Sequence, residues 1–103
     1  MEARENVTTN VGWDQVQPKL RDQVVNILHS KNFLKLTPVQ VHTLPLFLSY
    51  KDVCVQACTG SGKTLAFVVP VIEILLRVLS NGTTFSSSQV AAMIITPTRY
   101  NAI

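Results

Sequence analysis

Cysteine, glycine and charge are all scarce in this sequence of 103 residues, which holds two Cys, four Gly and a charged fraction of 15%. Cys54 and Cys58, with three residues between them, have no further Cys to complete a zinc set or a disulfide framework. They read as reduced and structural, within an apolar stretch. So little Gly, set against a hydrophobic fraction of 47%, excludes collagen-like and low-complexity chains and predicts an ordered core. No hydrophobic run is long enough for a bilayer: Leu65 to Ile72 falls far short of roughly 20 residues, and Glu73 and Arg77 interrupt its continuation. Met1 to Asn10 has no apolar core of a secretory leader, so the expected location is intracellular, with no membrane partner. Nine basic residues against six acidic ones leave a net charge of +3, which permits phosphate-rich partners without requiring them. The length fits one domain, or part of one, and no internal repeat is apparent.

Residues 1–17 lack a sustained period and are expected to form a mobile arm, in which Trp13 is the one side chain suited to docking on a neighbour. From Pro18 to Ser30, Leu20, Val24, Ile27 and Leu28 follow helical spacing behind an early Pro, which predicts an amphipathic helix. A second helix should open at Thr37, with Thr37 as N-cap, Pro38 in the first turn and Gln40 as capping-box partner, and should kink or end at Pro45. Asp52 to Ala57 is a short β-rich run leading into glycine-rich Thr59-Gly60-Ser61-Gly62, so a strand entering a tight loop is predicted. Gly62 to Ser80 is apolar nearly all round and predicts a long helix needing burial on several sides, with Pro70 as a kink. After a polar loop at Asn81 to Ser88, Val90 to Thr96 reads as a second, buried strand of the parallel type. Strand, helix and strand make one βαβ unit.

Ala57-Cys58-Thr59-Gly60-Ser61-Gly62-Lys63-Thr64 has the spacing of a phosphate-binding loop, with Ala at the position where Gly is usual. Gly60 and Gly62 let the backbone curl so that successive N–H groups point inward, and the following helix presents its positive dipole end at the same place. Lys63 is suited to β- and γ-phosphate oxygens, and the Thr64 hydroxyl to Mg²⁺. The plain alternative is a glycine-rich turn beside an exposed lysine. Asn32 to Gln40 likewise has two compatible readings. Thr37 and Gln40 cap a helix with Phe33 as a staple or core residue, while a Gln amide also matches the donor and acceptor edge of adenine and a Phe ring can stack on it. Arg99 is either a solvated side chain or a phosphate contact following a parallel strand. His29 and His42 have no carboxylate or Cys arrangement around them and receive no role.

Taken in order, Phe33, Thr37-Pro38-Val39-Gln40, the loop from Ala57 to Thr64, and Thr96-Pro97-Thr98-Arg99 resemble the Q motif, motif I and motif Ia of DEAD-box ATP-dependent RNA helicases, over about Trp13 to Arg99. The wording is most similar to helicases of large-ribosomal-subunit assembly. The resemblance implies an α/β fold: an incomplete RecA-like P-loop domain of N-terminal helices plus one βαβ unit, with residues 18–103 its N-terminal part. It implies ATP and Mg²⁺ as cofactors, with Gln40 reading adenine, Phe33 stacking on it, Ala57, Cys58, Thr59, Gly60, Ser61, Gly62, Lys63 and Thr64 on the phosphates, and Thr64 on the metal. Trp13 would match the family's isolated upstream aromatic, and Pro97, Thr98 and Arg99 would contact the RNA backbone. Ribosome-assembly proteins become candidate partners, and the nucleus or nucleolus is favoured over the cytoplasm.

After Arg99 the family pattern continues with Glu-Leu, whereas this sequence reads Tyr100-Asn101-Ala102-Ile103. The expectation is a chain cut short after motif Ia, without the Asp-Glu-Ala-Asp and Ser-Ala-Thr motifs or a second domain. The last side-chain carboxylate is Glu73, so a second Mg²⁺-orienting acid and a general base are missing. Such a chain should be catalytically inactive alone, marginally stable and prone to aggregate, because two strands leave a long apolar helix and both sheet edges uncovered. Two other readings stay open: a non-catalytic interaction module derived from a helicase, and a fragment of a different P-loop NTPase.

Overall fold

The computed structural model describes residues 8–57 and 60–95. Its order is a 3-10 turn at Trp13–Gln15, then helices α1 (Asp22–Ser30), α2 (Pro38–Leu48) and α3 (Lys63–Ser80). Each helix stops where a residue takes the left-handed backbone region: Asn32 (φ 67°) after α1, Tyr50 (φ 64°) after α2 and Gly82 (φ 91°) after α3. After α1, Asn32 N–H donates to His29 O and Phe33 N–H to Leu28 O; after α2, Tyr50 N–H donates to Phe47 O and Lys51 N–H to Leu46 O. Both are the paired closing bonds of a Schellman motif.

The first helix begins at Asp22 and not at the expected Pro18. Arg21 is its N-cap in an extended conformation, and Leu20 and Val25, the N′ and N4 positions of a hydrophobic staple, both enter the core. The second helix opens as the sequence predicts, with Thr37 as N-cap and Pro38 first, but continues past Pro45 to Leu48. Pro45 is exposed, and it deprives one carbonyl, that of Val41, of its helical partner without ending the helix. The residue ahead of the α2 N-cap that is buried is Leu36, not Phe33. Leu36 is in the core with Val41 packed against it, while Phe33 is 43% exposed.

Residues 8–17, the described part of the expected mobile arm, are docked. Thr9 N–H donates to Leu36 O at 2.7 Å, Leu36 N–H to Val11 O at 2.9 Å, and Gly12 pairs with Lys35 in an antiparallel bridge. This strap carries Trp13 into the centre of the core, fully buried, among Val16, Leu20, Leu28, Leu36 and Leu44. Burying one Trp contributes on the order of 3–5 kcal/mol relative to Ala, enough to hold a short polar segment in place.

The predicted βαβ unit is not formed among the described residues. Lys51 to Ala57 and Val90 to Ile95 adopt no strand, and Val90 to Ile95 are exposed throughout, Ile95 at 84%. A strand exists only as one side of a ladder, so its apolar pattern cannot form one where no partner backbone lies alongside. Cys54, expected in an apolar structural setting, is exposed on this unpaired segment. The same lack of a partner layer explains α3. It buries a single stripe, Ala66, Val69, Pro70 and Glu73, and leaves Ile72 and Leu79 exposed, where its all-round apolar character predicts burial on several sides.

Candidate nucleotide site

The start of α2 and the start of α3 meet at one side chain. Gln40, 2% exposed, accepts Thr37 N–H at Oε1 (2.8 Å) and donates from Nε2 to Gly62 O (2.9 Å). The first bond is the predicted cap. The second ties two stretches that the sequence presents as separate motifs 22 residues apart. Gly62 is the N-cap of α3, and its carbonyl also accepts Ala66 N–H at 3.2 Å. With φ +84°, Gly62 sits so close that an added Cβ would fall 2.7 Å from Gln40 Nε2 and 2.8 Å from Thr37 Oγ1. Glycine is therefore required twice over, for its backbone and for its lack of a side chain.

Gln40 keeps one amide hydrogen and one carbonyl lone pair beyond these two bonds, which is what an adenine edge would use. Thr37 Oγ1 and Ser61 Oγ are buried with no hydrogen-bond partner among the described residues, both at the turn around Gly62. The first turn of α3 has no side-chain cap and no acidic residue. Orphaned hydroxyls, free helix-start amides and a glycine cradle are a donor set fitted to phosphate oxygens. Lys63 is exposed and its ammonium donates to Ala57 O at 3.3 Å, a long and easily exchanged bond. Thr64 is half-buried beside it, and Gly60 (φ 82°) is exposed at the loop's other bend. Phe33, just past the α1 cap, presents an open ring. Cys58 and Thr59, and Pro97, Thr98 and Arg99, lie outside the described residues.

Below the loop, Thr43 and Phe47 of α2, Val53 and Val55, and Ala66 and Phe67 of α3 line a cavity of about 280 Å³, with Lys63 and Thr64 completing its wall. Its apolar lining suits side chains of a covering layer better than a charged ligand. His29 and His42 are exposed on α1 and α2.

A group that the sequence reading missed lies at the far end of α3. Glu73, 1% exposed, accepts Arg21 backbone N–H at Oε1 (2.9 Å) and Arg77 Nε–H at Oε2 (3.2 Å). Arg77 also donates from Nη1 to Leu48 O (3.0 Å), and its guanidinium lies 5.9 Å from the centre of the Tyr50 ring. The Arg77 pKa is raised further above its already alkaline value, chiefly by the hydrogen bond to Tyr50, against an opposing effect of partial burial and with support from Glu73. The available signal was the Glu-to-Arg spacing of four on a helix, the favourable orientation for such a pair, which the reading took only as an interruption of an apolar run.

A glycine-cradled helix start is thus joined to a buried Gln amide, and comparison with known proteins supplies the family. Residues 37–102 match the family model described as DEAD/DEAH box helicase. The chain is 47% identical over 92 residues to the probable ATP-dependent RNA helicase ddx55 of Dictyostelium discoideum, covering 89% of this chain and 13% of that protein. It is 49% identical over 87 residues to the ATP-dependent rRNA helicase SPB4 of Mycosarcoma maydis, covering 84% of this chain and 11% of that protein. To the ATP-dependent RNA helicase DDX55 of Homo sapiens it is 50% identical over 95 residues, covering 92% of this chain and 15% of that protein. The chain belongs to the DEAD/DEAH box helicase family, whose domain has a RecA-like fold. It spans between 11% and 15% of the length of these three relatives. Among the described residues, no helix is long and apolar enough to cross a membrane.

Proposed function

We propose that this chain carries the adenine- and phosphate-binding part of the ATP site of an RNA helicase, and that it binds Mg²⁺-ATP. The observation that carries the reading is the Gln40 clasp on Gly62, which joins the Gln40 amide and the glycine loop in one hydrogen-bonded unit. On binding, the Lys63 ammonium exchanges its long bond to Ala57 O for the β- and γ-phosphate oxygens, and the α3 amides with the Ser61 hydroxyl take the remaining oxygens. Gln40 donates its free amide hydrogen to the adenine ring nitrogen and accepts from the exocyclic amine, and Phe33 covers the base. Thr64 is the residue that would ligate Mg²⁺, whose charge would offset that of the phosphates.

Hydrolysis needs a general base or a water-orienting group. Glu73, the one acidic residue on α3, has both its oxygens already committed to Arg21 and Arg77 and supplies neither. RNA contact is assigned to Pro97, Thr98 and Arg99, and unwinding to longer relatives. The likeness to an rRNA helicase supports ribosomal precursors and their assembly proteins as partners, in the nucleolus.

The test is titration of the purified chain with a fluorescent ATP analogue and Mg²⁺, with GTP as competitor and Lys63→Ala and Gln40→Ala in parallel. Saturable binding that prefers ATP and is lost in both variants is the expected result. An absence of saturable binding would remove the reading and leave an interaction module. Equal competition by ATP and GTP would instead favour another P-loop protein.

A further inference from the structure

Gln40 and the Lys63–Thr64 pair stand on different helices, so a ligand that spans them is read correctly only while α2 and α3 keep one crossing and one register. The Gln40–Gly62 bond fastens the two at their N-terminal ends. A pair of helices fastened at a single end can pivot, and the pivot is taken up at the fastening itself. Here that fastening is the Gln40 amide, the group whose direction decides which base edge it accepts.

A second fastening stands at the opposite end, about 21 Å along α3 from Lys63 at 1.5 Å per residue. Arg77, in the last turn of α3, reaches the carbonyl of Leu48, the last residue of α2, at 3.0 Å. The guanidinium does not find that carbonyl unaided. Buried Glu73 holds its Nε from one side, the Tyr50 ring lies against it, and Nη1 is left aimed at Leu48 O. Glu73 is itself fixed by the Arg21 backbone N–H, so the clamp also includes the start of α1. Between the two fastenings α2 buries Thr43 and Leu44 and α3 buries Ala66, Val69 and Pro70, apolar surfaces that are not directional and leave the exact register to the hydrogen bonds at the two ends.

We propose that Arg77, oriented by Glu73, is a positioning residue for adenine discrimination: it locks the C-terminal ends of α2 and α3 together and thereby keeps the Gln40 amide aimed at the base. The proposal rests on the nucleotide-binding reading above. It predicts a loss of base selectivity without a matching loss of phosphate binding, because the glycine loop and the α3 start do not depend on the clamp.

The experiment measures displacement of a fluorescent ATP analogue by ATP, by GTP and by inorganic tripolyphosphate with Mg²⁺, in the unsubstituted chain, in Arg77→Lys and in Glu73→Gln. Lysine keeps the charge but lacks the planar fork that serves Glu73 and Leu48 O together. Glutamine keeps an acceptor for the Arg21 N–H and loses the charge that orients Arg77. The expected result is a fall in the ratio of ATP to GTP affinity of roughly two- to thirty-fold, with tripolyphosphate competing as before. Folded variants that keep the ratio, or that lose ATP and tripolyphosphate equally, would overturn the proposal. An unsubstituted chain that binds no nucleotide defeats the underlying reading, and the proposal with it. If Glu73→Gln does not melt cooperatively, Arg77→Lys decides the question.

Discussion

Replacing Gly62 by Ala tests the interlock between α2 and α3, and Gly82→Ala supplies the reference. Both glycines have left-handed backbones, φ +84° and +91°, but an added Cβ at Gly82 meets nothing within 4 Å whereas at Gly62 it meets the Gln40 amide at 2.7 Å. Gly82→Ala should therefore incur only the backbone term, roughly 1–2 kcal/mol. Gly62→Ala incurs the same term and must also displace a buried amide, leaving it unpaired, which costs about 1–3 kcal/mol more. For a domain of about 100 residues each kcal/mol corresponds to roughly 4–8 °C in Tm. The measurement is thermal unfolding followed by circular dichroism, with nucleotide titration on the same samples. Gly62→Ala is expected to melt at least about 5 °C below Gly82→Ala and to lose ATP binding. Equal melting shifts would refute the close approach, because the extra cost arises only from the contact at Gln40.

Lys63→Ala should abolish nucleotide binding while changing stability by less than about 0.5 kcal/mol, since Lys63 is exposed and makes only the 3.3 Å bond to Ala57 O; paired titration and melting curves separate the two effects. Trp13→Ala should destabilise by about 3–5 kcal/mol in a denaturant series, and Trp13→Phe by much less, because the indole N–H is buried with no acceptor and its removal relieves an unpaired donor. Glu73→Ala should cost about 3–5 kcal/mol, the penalty for leaving a partly buried arginine pair without its carboxylate, and Glu73→Gln distinctly less. The raised Arg77 pKa means that its contribution is complete below the unfolded-state guanidinium value and is lost only as pH climbs through the still higher folded value. Melting curves between pH 6 and 9 should accordingly show no step that Arg77→Lys removes.

Helix α2 was legible in the sequence because its start is written locally: Thr37, Pro38 and Gln40 lie within one turn, and the backbone bond they predict is made. The span of α3 was legible for the same reason, as Gly62 and Gly82 bracket it. Three features were not legible, and each depends on residues far apart. The strap joins Thr9 to Leu36, 27 residues on, the clamp joins Arg21 to Glu73, 52 residues on, and the clasp joins Gln40 to Gly62. A periodicity reading carries no information about which distant carbonyl a side chain will meet. The strands failed in the opposite direction. Val53 to Ala57 and Val90 to Ile95 have the right composition, but a strand's existence is a property of the pair and not of the segment. Of the two outcomes expected at Pro45, a kink or an end, the end is excluded, because α2 runs on to Leu48, which is buried in the core.

Among the described residues, every core residue, from Trp13 to Glu73, precedes the apolar stretch at Val90 to Ile95. A ribosome delivers the chain in that same order, so the residues of the strap, the clasp and the clamp emerge before the sticky segment does. Val90 to Ile95 therefore meets solvent as an unpaired β-prone run tethered to a helical body whose buried residues have already emerged. Its fate is a competition between intermolecular strand pairing and whichever backbone arrives next to accept it, and the outcome is set by concentration and timing more than by the stability of the helices.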